Sequence, residues 1–334
     1  MAKLFTRRRT ICILAAAAGL PLIPPTALAR RIAEPVVWNG QALGAPATLI
    51  LNHDDPAAAG QLVNRVVAEV SRLEAIFSLY RSDSVLLELN RAGALAAPPS
   101  ELVTLLERSG AIWEASNGAF DPTIQPLWTL YARHFSSANA DPAGPASDEL
   151  QAALSRVGFA GVRFNRDRIA FARPQMALSL NGIAQGYITD RIVDMLRDAG
   201  IGSSLLSMGE SRAIGAAASG QPWRVGLAET EAGAVPDTII GIIDRAVSTS
   251  SASGFHFDPS GRFGHILDPL RGSAPPRYRR MSVIVPDATA ADALSTAFSL
   301  MDPAEIRRFL KNHPDITVDM VEISGTHSRL GAAI

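Results

Sequence analysis

Cysteine is almost absent from this chain, which has one cysteine in 334 residues. That residue, Cys12, stands close to the N-terminus and does not follow a lipobox. The remainder of the chain therefore has no disulfide, no thiolate zinc site and no cysteine nucleophile. The GxSxG, HExxH, phosphate-loop and CxxC patterns are also missing, which excludes the enzyme classes that depend on those motifs.

A charge excess of either sign is lacking too, since 31 basic residues stand against 32 acidic ones. The basic pairs Arg30-Arg31 and Arg279-Arg280 have no interleaved aromatic residues. A formal net charge of −1 without such a patch does not predict nucleic-acid binding. The apolar share of 47% is ordinary for a globular chain, and the length suits one large domain or two closely packed ones.

The N-terminal apolar run is too short to cross a bilayer stably. It covers Ile11–Leu20, about half of the roughly 20 residues that a transmembrane helix needs. Lys3 and Arg7–Arg9 precede it, and Ala27-Leu28-Ala29 follows as a small-residue cleavage site. This order of basic, apolar and small residues predicts a secretory signal peptide.

The residues around Arg8 further resemble a twin-arginine export motif, so we expect a periplasmic protein. We assign residues 1–29 to the signal and residues 30–334 to one domain. Removing the signal takes away four basic residues and no acidic ones, which changes the formal charge from −1 to −5. After its removal we expect no transmembrane segment. A retained membrane anchor is the competing interpretation.

Helices and hairpins alternate irregularly along the chain. Apolar residues at helical spacing predict an amphipathic helix over Ala57–Phe77, and Asp302-Pro303 has the N-cap and N1 residues of another helix. Since regular βαβ alternation is missing, we predict an α+β fold with mainly antiparallel sheets flanked by helices. Other predicted elements are a strand pair in Val36–Leu51, helices at Val85–Asn90, Glu101–Ala115 (capped by Ser100) and Ala288–Met301, strands at Ile239–Ala246, Met281–Val285 and Ile316–Ile323, and a serine-rich loop at Ser248–Ser253.

The stretch Leu178–Asp190 changes from one periodicity to another. A short buried strand is predicted over Met176–Leu180, and a helical pattern begins at Ile183. Asn181 is a suitable N-cap, and Gly182 allows close approach to the backbone. A strand that turns into a helix leaves unpaired N–H groups, which can bind phosphate. A glycine-rich packing turn is the alternative interpretation.

Asp292 and Thr296 stand four residues apart in a predicted helix. This spacing places a carboxylate and a hydroxyl on one helix face, where they suit Mg²⁺ or Ca²⁺. The alternative is that Asp292 is a solvated surface acid and Thr296 bonds the backbone one turn back. We expect Asp292→Ala to abolish activity and leave the fold intact, because the helix is taken to reach the surface.

Three further residues are candidates for ligand contacts. His265, in HILDP, is suited to bind a phosphate oxygen or a metal, or to serve as an ordinary buried polar residue. Asp121, in FDPT, is held extended by the proline after it, and is either a ligand contact or a turn acid. Tyr80 follows a helix end and either stacks on an aromatic ligand or covers the edge of the core.

The order of these motifs resembles the ApbE family of FAD:protein FMN transferases. The resemblance covers roughly residues 36–325 and rests on seven segments in sequence. They are Tyr80 to Asn90, GAFDPTIQPL, LNGIAQGYITD, SMGESRAIG with PWRVGL, AVSTSS, HILDP and ADALSTA. The wording LNGIAQGYITD, together with the export signal, is similar to the NosX branch of the family, which is tied to nitrous oxide respiration. The resemblance implies an ApbE-like, T-fold-like architecture.

The resemblance also implies a reaction and a ligand set. FAD is the substrate, a threonine hydroxyl of an acceptor protein attacks the FMN phosphorus, and AMP leaves. Mg²⁺, or another hard divalent cation, is expected on Asp292, Thr296 and the carbonyl of Gly182, with His265 and Asp292 as the catalytic residues. The implied acceptor is a membrane-bound, NosR-like electron-transfer flavoprotein. The implied cofactor contacts are Leu43, Tyr80, Asp121, Asn181, Gln185, Thr249 and His265.

Two departures from the family pattern concern activity. Gln185 stands where the family usually has lysine, which removes a positive charge near the expected diphosphate. Ser207–Glu210 replaces a typical Asn-x-Gly-Gly segment. An FAD pyrophosphatase and a non-catalytic flavin-binding accessory protein are therefore the alternative functions.

Overall fold

An eight-stranded antiparallel sheet organises the computed structural model, which describes residues 11–12, 34–229 and 236–332. Its strand order is β14-β13-β12-β11-β8-β7-β3-β2. Two three-stranded sheets, β1-β9-β10 and β4-β6-β5, accompany it. The strands are β1 Ile11–Cys12, β2 Val36–Ala42, β3 Ala45–Leu51, β4 Ala94–Ala96, β5 Val162–Phe164, β6 Arg168–Phe171, β7 Ser204–Ser207, β8 Ser211–Ile214, β9 Trp223–Leu227, β10 Thr238–Ile242, β11 Ala246–Ser251, β12 Tyr278–Val285, β13 Thr317–Glu322 and β14 His327–Gly331.

The eight α-helices of the described residues include one long and several short ones. They are α1 Pro56–Phe77, α2 Val85–Ala92, α3 Ser100–Ala115, α4 Gln125–Phe135, α5 Ser147–Leu154, α6 Ala184–Asp198, α7 Ala288–Phe298 and α8 Pro303–Leu310. Since every pair of neighbouring strands is antiparallel, the predicted α+β class is confirmed. Within the described part of the chain, no helix has both the length and the apolar character that crossing a bilayer requires.

The large sheet is buried on both faces. Alternate side chains of one strand point to opposite faces, so Leu49 and Leu51 enter one apolar cluster while Ile50 enters another. The first cluster lies under α1, α6 and α7, and the second lies between the large sheet and β9 and β10. Burial on both sides explains why the central strands lack the alternation of an exposed sheet.

Two predicted helices begin close to their predicted positions. α1 begins at Pro56, one residue before the predicted Ala57, and its N-cap, Asp55, was not predicted. Asp302 and Glu305 form a reciprocal capping box at the start of α8. The cap predicted at Ser100 is wrong by one residue, because α3 begins at that residue and Pro99 occupies the cap position without a side-chain bond.

The stretch around Asn181 departs from the prediction. Residues 176–180 form no strand; instead, the side chain of Asn90 bonds both the N–H and the carbonyl of Leu178, at 2.7 and 2.9 Å. The predicted N-cap at Asn181 is also wrong. Residues 181–183 form a turn, because the N–H groups of Ile183 and Ala184 both bond the carbonyl of Leu180, and α6 begins only at Ala184.

The predicted serine-rich loop is in fact the central strand β11. The serine-rich sequence led to the prediction of a loop, because serine is common in turns. In the structure those hydroxyls are buried and bond one another across strands and helices, which satisfies them inside the fold. Strand β14 was not predicted at all.

The predicted export signal lies mostly outside the described residues. Only Ile11 and Cys12 of that segment are described, as a two-residue strand that pairs with Leu227 and Gly226 of β9. The division into residues 1–29 and 30–334 stays a prediction.

Candidate active site

A cleft opens beside β11, beyond the point where β8 stops pairing with it. β8 pairs only with Ala246 and Val247, whereas residues 249–251 line the cleft. It encloses about 920 Å³, including open solvent at its mouth. Five of the predicted site residues line it, namely Asp121, Gly182, Thr249, His265 and Thr296.

Gly182 and Thr296 meet in this cleft, and Asp292 lies one helical turn before Thr296. A Cβ added to Gly182 would lie 3.3 Å from Thr296 Oγ1, so the hydroxyl lies directly against the glycine backbone. Thr296 Oγ1 donates to the backbone carbonyl of Asp292, one turn back, over a long 3.4 Å. The alternative expected for Thr296 is therefore present, but a bond of this length leaves lone pairs of the hydroxyl for a cation.

The oxygen donors of this group fit a hard cation. A carboxylate, a hydroxyl and a carbonyl are ligands that Mg²⁺ accepts, and Mg²⁺ commonly completes its shell with water and substrate phosphate. Among the described residues there is no cluster of three His, Cys, Asp or Glu side chains that suits a metal. A cation here would therefore depend on Asp292 with the uncharged oxygens of Gly182 and Thr296.

Asp292 is fully buried, which corrects the expectation of a surface acid. Its Oδ2 accepts a hydrogen bond from the N–H of Gly186, in the first turn of α6, at 3.2 Å. In return, Asp190 of α6 accepts from the N–H groups of Ala288 and Thr289 at the start of α7. Each helix thus supplies a carboxylate to the other's N-terminus, where a negative charge is favourable. Asp292→Ala would also break this contact, so it does not separate activity from folding.

The two glycines of the Asn181 stretch have different roles. A Cβ on Gly186 would lie 2.2 Å from the carbonyl oxygen of Ala288, so this glycine lets α6 and α7 approach closely. The packing interpretation is correct for Gly186. Gly182 instead faces the cleft and the Thr296 hydroxyl.

His265 is held in one orientation by the backbone. Its Nδ1 lies 3.0 Å from the carbonyl oxygen of Phe255, and its N–H donates to the same oxygen. A carbonyl oxygen can only accept, so Nδ1 carries the proton and Nε2 is the basic nitrogen of the neutral ring. Gly254 packs against the imidazole, since a Cβ there would lie 2.4 Å from His265 Cε1.

Asp121 caps the 3₁₀ turn Pro122–Ile124. Its Oδ1 accepts from the N–H and the hydroxyl of Thr123, at 2.8 and 2.5 Å, and its Oδ2 accepts from the N–H of Phe159 at 2.9 Å. Burial raises the pKa of this carboxyl above its ordinary value, and these hydrogen bonds offset only part of the effect. The turn-acid role is therefore present, while a ligand contact of Asp121 stays a prediction.

Similarity to known proteins identifies the family of this chain. Residues 43–320 match the sequence profile of the ApbE family. This chain belongs to the ApbE family. A Treponema pallidum protein named FAD:protein FMN transferase is 32% identical over 276 residues, which are 76% of this chain and 75% of that protein. A Salmonella typhimurium protein of the same name is 26% identical over 313 residues, 88% and 86% of the two chains.

A solved ApbE-family structure has the same architecture. The crystal structure of the ApbE protein from Thermotoga maritima superposes with a TM-score of 0.77 at 25% identity, over 88% of this chain and 96% of that one. The predicted ApbE-like fold is thereby confirmed.

Two other predicted contacts of the ApbE-family site lie in a neighbouring cleft. Tyr80 and Asn181 line a cavity of about 810 Å³, open solvent included. Trp128 lines both this cavity and the main cleft, so the two adjoin. Tyr80 is 48% exposed, which leaves its ring accessible to a ligand rather than buried at the edge of the core.

Leu43 and Gln185 lie together but line neither of these two clefts. Leu43 is in the β2–β3 turn with a φ of 48°, and its N–H donates to Glu74 Oε1 at 2.5 Å. Gln185 is buried against Gly209, and its amide donates to the carbonyl of Ala42 at 3.4 Å. Their roles as cofactor contacts stay predictions.

Sequence reasoning missed the hydroxyl residues that surround β11. Ser248 and Ser250 lie 3.2 and 2.8 Å from the hydroxyl of Ser295 on α7, and Thr249 lies 2.8 Å from that of Ser282 on β12. The available signal was the period-two alternation of a strand, with Val247 and Thr249 on one face and Ser248 and Ser250 on the other.

Proposed function

We propose that this protein transfers FMN from FAD to a threonine hydroxyl of an acceptor protein and releases AMP. The observation that carries this proposal is that Gly182, Thr296 and His265 line one cleft of an ApbE-family fold, with Asp292 buried one helical turn from Thr296. The names of the curated relatives support the same activity.

We infer that the transfer is an in-line substitution at phosphorus. The acceptor oxygen forms a bond to the FMN phosphorus, the bond from that phosphorus to the AMP oxygen breaks, and AMP departs. His265 can accept the hydroxyl proton at Nε2, because Nδ1–H is already donated to Phe255. Asp292, Thr296 and the Gly182 carbonyl would hold Mg²⁺, which neutralises charge on the diphosphate during transfer.

The decisive experiment mixes mature protein, FAD, Mg²⁺ and a NosR-like acceptor domain. We expect a fluorescent flavin bound covalently to the acceptor, a mass increase equal to FAD minus AMP, and one AMP for each label. An acceptor whose target threonine is changed to valine should stay unlabelled. AMP without labelled acceptor would instead indicate an FAD pyrophosphatase, and intact bound FAD would indicate a flavin-binding accessory protein.

Asp292→Asn tests the cation site more cleanly than alanine does. Asparagine keeps an oxygen for the Gly186 N–H but loses the charge, so we expect turnover to fall by about 100-fold or more with the fold retained. Asp194→Asn, at an exposed position on α6, is the control and should turn over normally. Normal turnover by Asp292→Asn in Mg²⁺ would contradict the proposed cation site.

We further propose that residues 1–29 direct export to the periplasm. The basic residues Arg7–Arg9 and the apolar run after them support this. Replacing all three arginines by lysine should leave the protein in the cytoplasmic fraction. Unchanged fractionation of that variant would contradict a twin-arginine route.

A further inference from the structure

A chain of polar side chains, buried from Asp319 inward, leads from the outer strand β14 to the cleft. Arg329 of β14 donates to Asp319 Oδ2 from Nε and from a terminal nitrogen, at 3.0 and 2.8 Å. Asp319 Oδ1 accepts from Arg280 of β12 at 2.8 Å. Arg280 then donates to Ser282 Oγ at 2.9 Å, and Ser282 lies 2.8 Å from the hydroxyl of Thr249, which lines the cleft.

The arginine favours one direction for the bonds after it. A guanidinium has only donors, so Ser282 Oγ must accept from Arg280. Ser282 is fully buried and has a single proton, for which Thr249 Oγ1 is the acceptor among the described residues. If Ser282 accepted from Thr249 as well, its own buried proton would have no partner, so Thr249 accepts from Ser282 and keeps its own proton for another acceptor. Within the described part of the chain, Thr249 Oγ1 has no hydrogen-bond partner besides Ser282.

Stability alone gives a poor reason for placing Arg280 here. The side chains of Arg280 and Asp319 are both fully buried, and a buried ion pair contributes little net stability because of its desolvation cost. In addition, Arg280 Nε has no hydrogen-bond partner among the described residues. An unmet buried donor is a further cost, which the fold accepts together with the arginine.

We propose that Arg280 is a positioning residue of the cleft, which acts through Ser282 to present the Thr249 hydroxyl as a hydrogen-bond donor to an oxygen of the bound ligand. This proposal rests on the proposed function for the identity of the ligand, FAD. The hydroxyl is oriented before the ligand arrives, so less rotational freedom is lost on binding. Strand β14, remote in sequence from the cleft lining, thereby contributes to ligand affinity.

The test measures FAD binding without any acceptor, by titration calorimetry on mature protein. Thr249→Val keeps the shape and removes the hydroxyl, and should weaken FAD binding by about tenfold, as the loss of a bond to a charged oxygen does. Thr249→Ser should restore most of that affinity. Ser204→Ala, which removes a buried hydroxyl that bonds the carbonyl of Ile50, is the matched control and should bind FAD normally.

A double-mutant cycle shows whether Ser282 acts through Thr249. Ser282→Ala should weaken FAD binding by about threefold in the native background, because the Thr249 hydroxyl is no longer held in one rotamer. In the Thr249→Val background the same change should have no further effect. Equal effects in both backgrounds, or native affinity of Thr249→Val, would overturn the proposal.

The two proposals fail in different ways. A wild-type protein that binds FAD but labels no acceptor overturns the transferase and leaves the calorimetric cycle to decide whether Ser282 acts through Thr249. A transferase that labels its acceptor while Thr249→Val binds FAD normally overturns only the positioning role.

Discussion

The two faces of strand β11 use hydroxyl groups in different ways. Toward α7, Ser248 and Ser250 both lie within hydrogen-bond distance of Ser295, whose own proton is donated to the backbone carbonyl of Asp292. On the other face, Thr249 meets Ser282, which accepts a hydrogen bond from Arg280. On the first face the donated protons end on a backbone carbonyl, whereas on the second they start from a charged arginine. The first face therefore uses its hydroxyl protons inside the fold, and the second leaves the Thr249 proton for a ligand.

Asp319→Asn should lower the free energy of unfolding more than any other variant in this comparison. It leaves the fully buried Arg280 without a carboxylate, and we expect a loss of about 3–5 kcal/mol in the free energy of unfolding at neutral pH. Chemical denaturation of mature protein measures this. A loss no larger than that of a surface substitution would mean that the Arg280–Asp319 pair does not stabilise the Thr249 face of β11.

The pH dependence of stability in the same variant tests the role of the Asp319 charge. Burial pushes the pKa of Asp319 upward, but Arg280, Arg329 and His327 outweigh it and hold that pKa below its ordinary value. The stabilisation from a carboxylate of lowered pKa is complete above the unfolded pKa of about 4, and is lost as the pH falls through the folded value. The difference in unfolding free energy between wild type and Asp319→Asn should therefore become smaller below about pH 4. A constant difference from pH 7 to pH 3 would contradict a stabilising role of the Asp319 carboxylate.

Arg280→Met should have a smaller effect than Asp319→Asn. The side chain keeps most of its volume, and Asp319 still accepts from Arg329 and His327 after the change. We expect a loss of about 2 kcal/mol in unfolding free energy, because one buried partner of the carboxylate is removed while two remain. Thermal and urea unfolding would measure it. If this loss exceeds that of Asp319→Asn, Asp319 depends on Arg280 more than on β14.

Ser295→Ala, which changes the β11 face toward α7, should have a moderate effect on the free energy of unfolding. The hydroxyl of Ser295 lies between Ser248 and Ser250 and also donates to the carbonyl of Asp292 at 3.0 Å. We expect a loss of about 1–2 kcal/mol, because the buried serines can in part bond one another instead. Unfolding free energies and FAD affinity, measured on the same variant, test this. A tenfold weaker FAD affinity would show that the β11 hydroxyls facing α7 also contribute to ligand binding.

Ser250→Ala should have the smallest effect of the series. It removes one neutral bond, and Ser295 keeps its bonds to Ser248 and to the backbone. A loss of about 0.5–1 kcal/mol is expected for one neutral hydrogen bond. Differential scanning calorimetry against Thr249→Val gives the direct comparison of the two faces.

Local sequence signals predicted much of the fold. Pro303 after Asp302 marks a helix start that depends on a few neighbouring residues. Antiparallel pairing followed from the irregular order of helices and strands. By contrast, the failed N-cap at Asn181 depends on Asn90, which bonds the backbone at Leu178 from 88 residues away. No local pattern contains such a contact.

The candidate site was predictable only as a set of residue types. The i, i+4 spacing of Asp292 and Thr296 placed them on one helix face, and the family resemblance placed that helix beside Gly182. The full burial of Asp292 and the charged chain behind Thr249 were not predictable. Both depend on which strand lies next to which. The serine-rich composition of β11 pointed to a loop, because its polar partners come from other elements.

The exchange of carboxylates between α6 and α7 determines when the site can form during synthesis. Asp190 and Ala288 are 98 residues apart, and Gly186 and Asp292 are 106 apart. A ribosome adds about 5–20 residues per second, so seconds pass between the appearance of the first helix and that of the second. Until then the first turn of α6 lacks the carboxylate that caps it. The cleft cannot form until α7 has been synthesised, so the residues of α6 wait for a segment about 100 residues away before the site assembles.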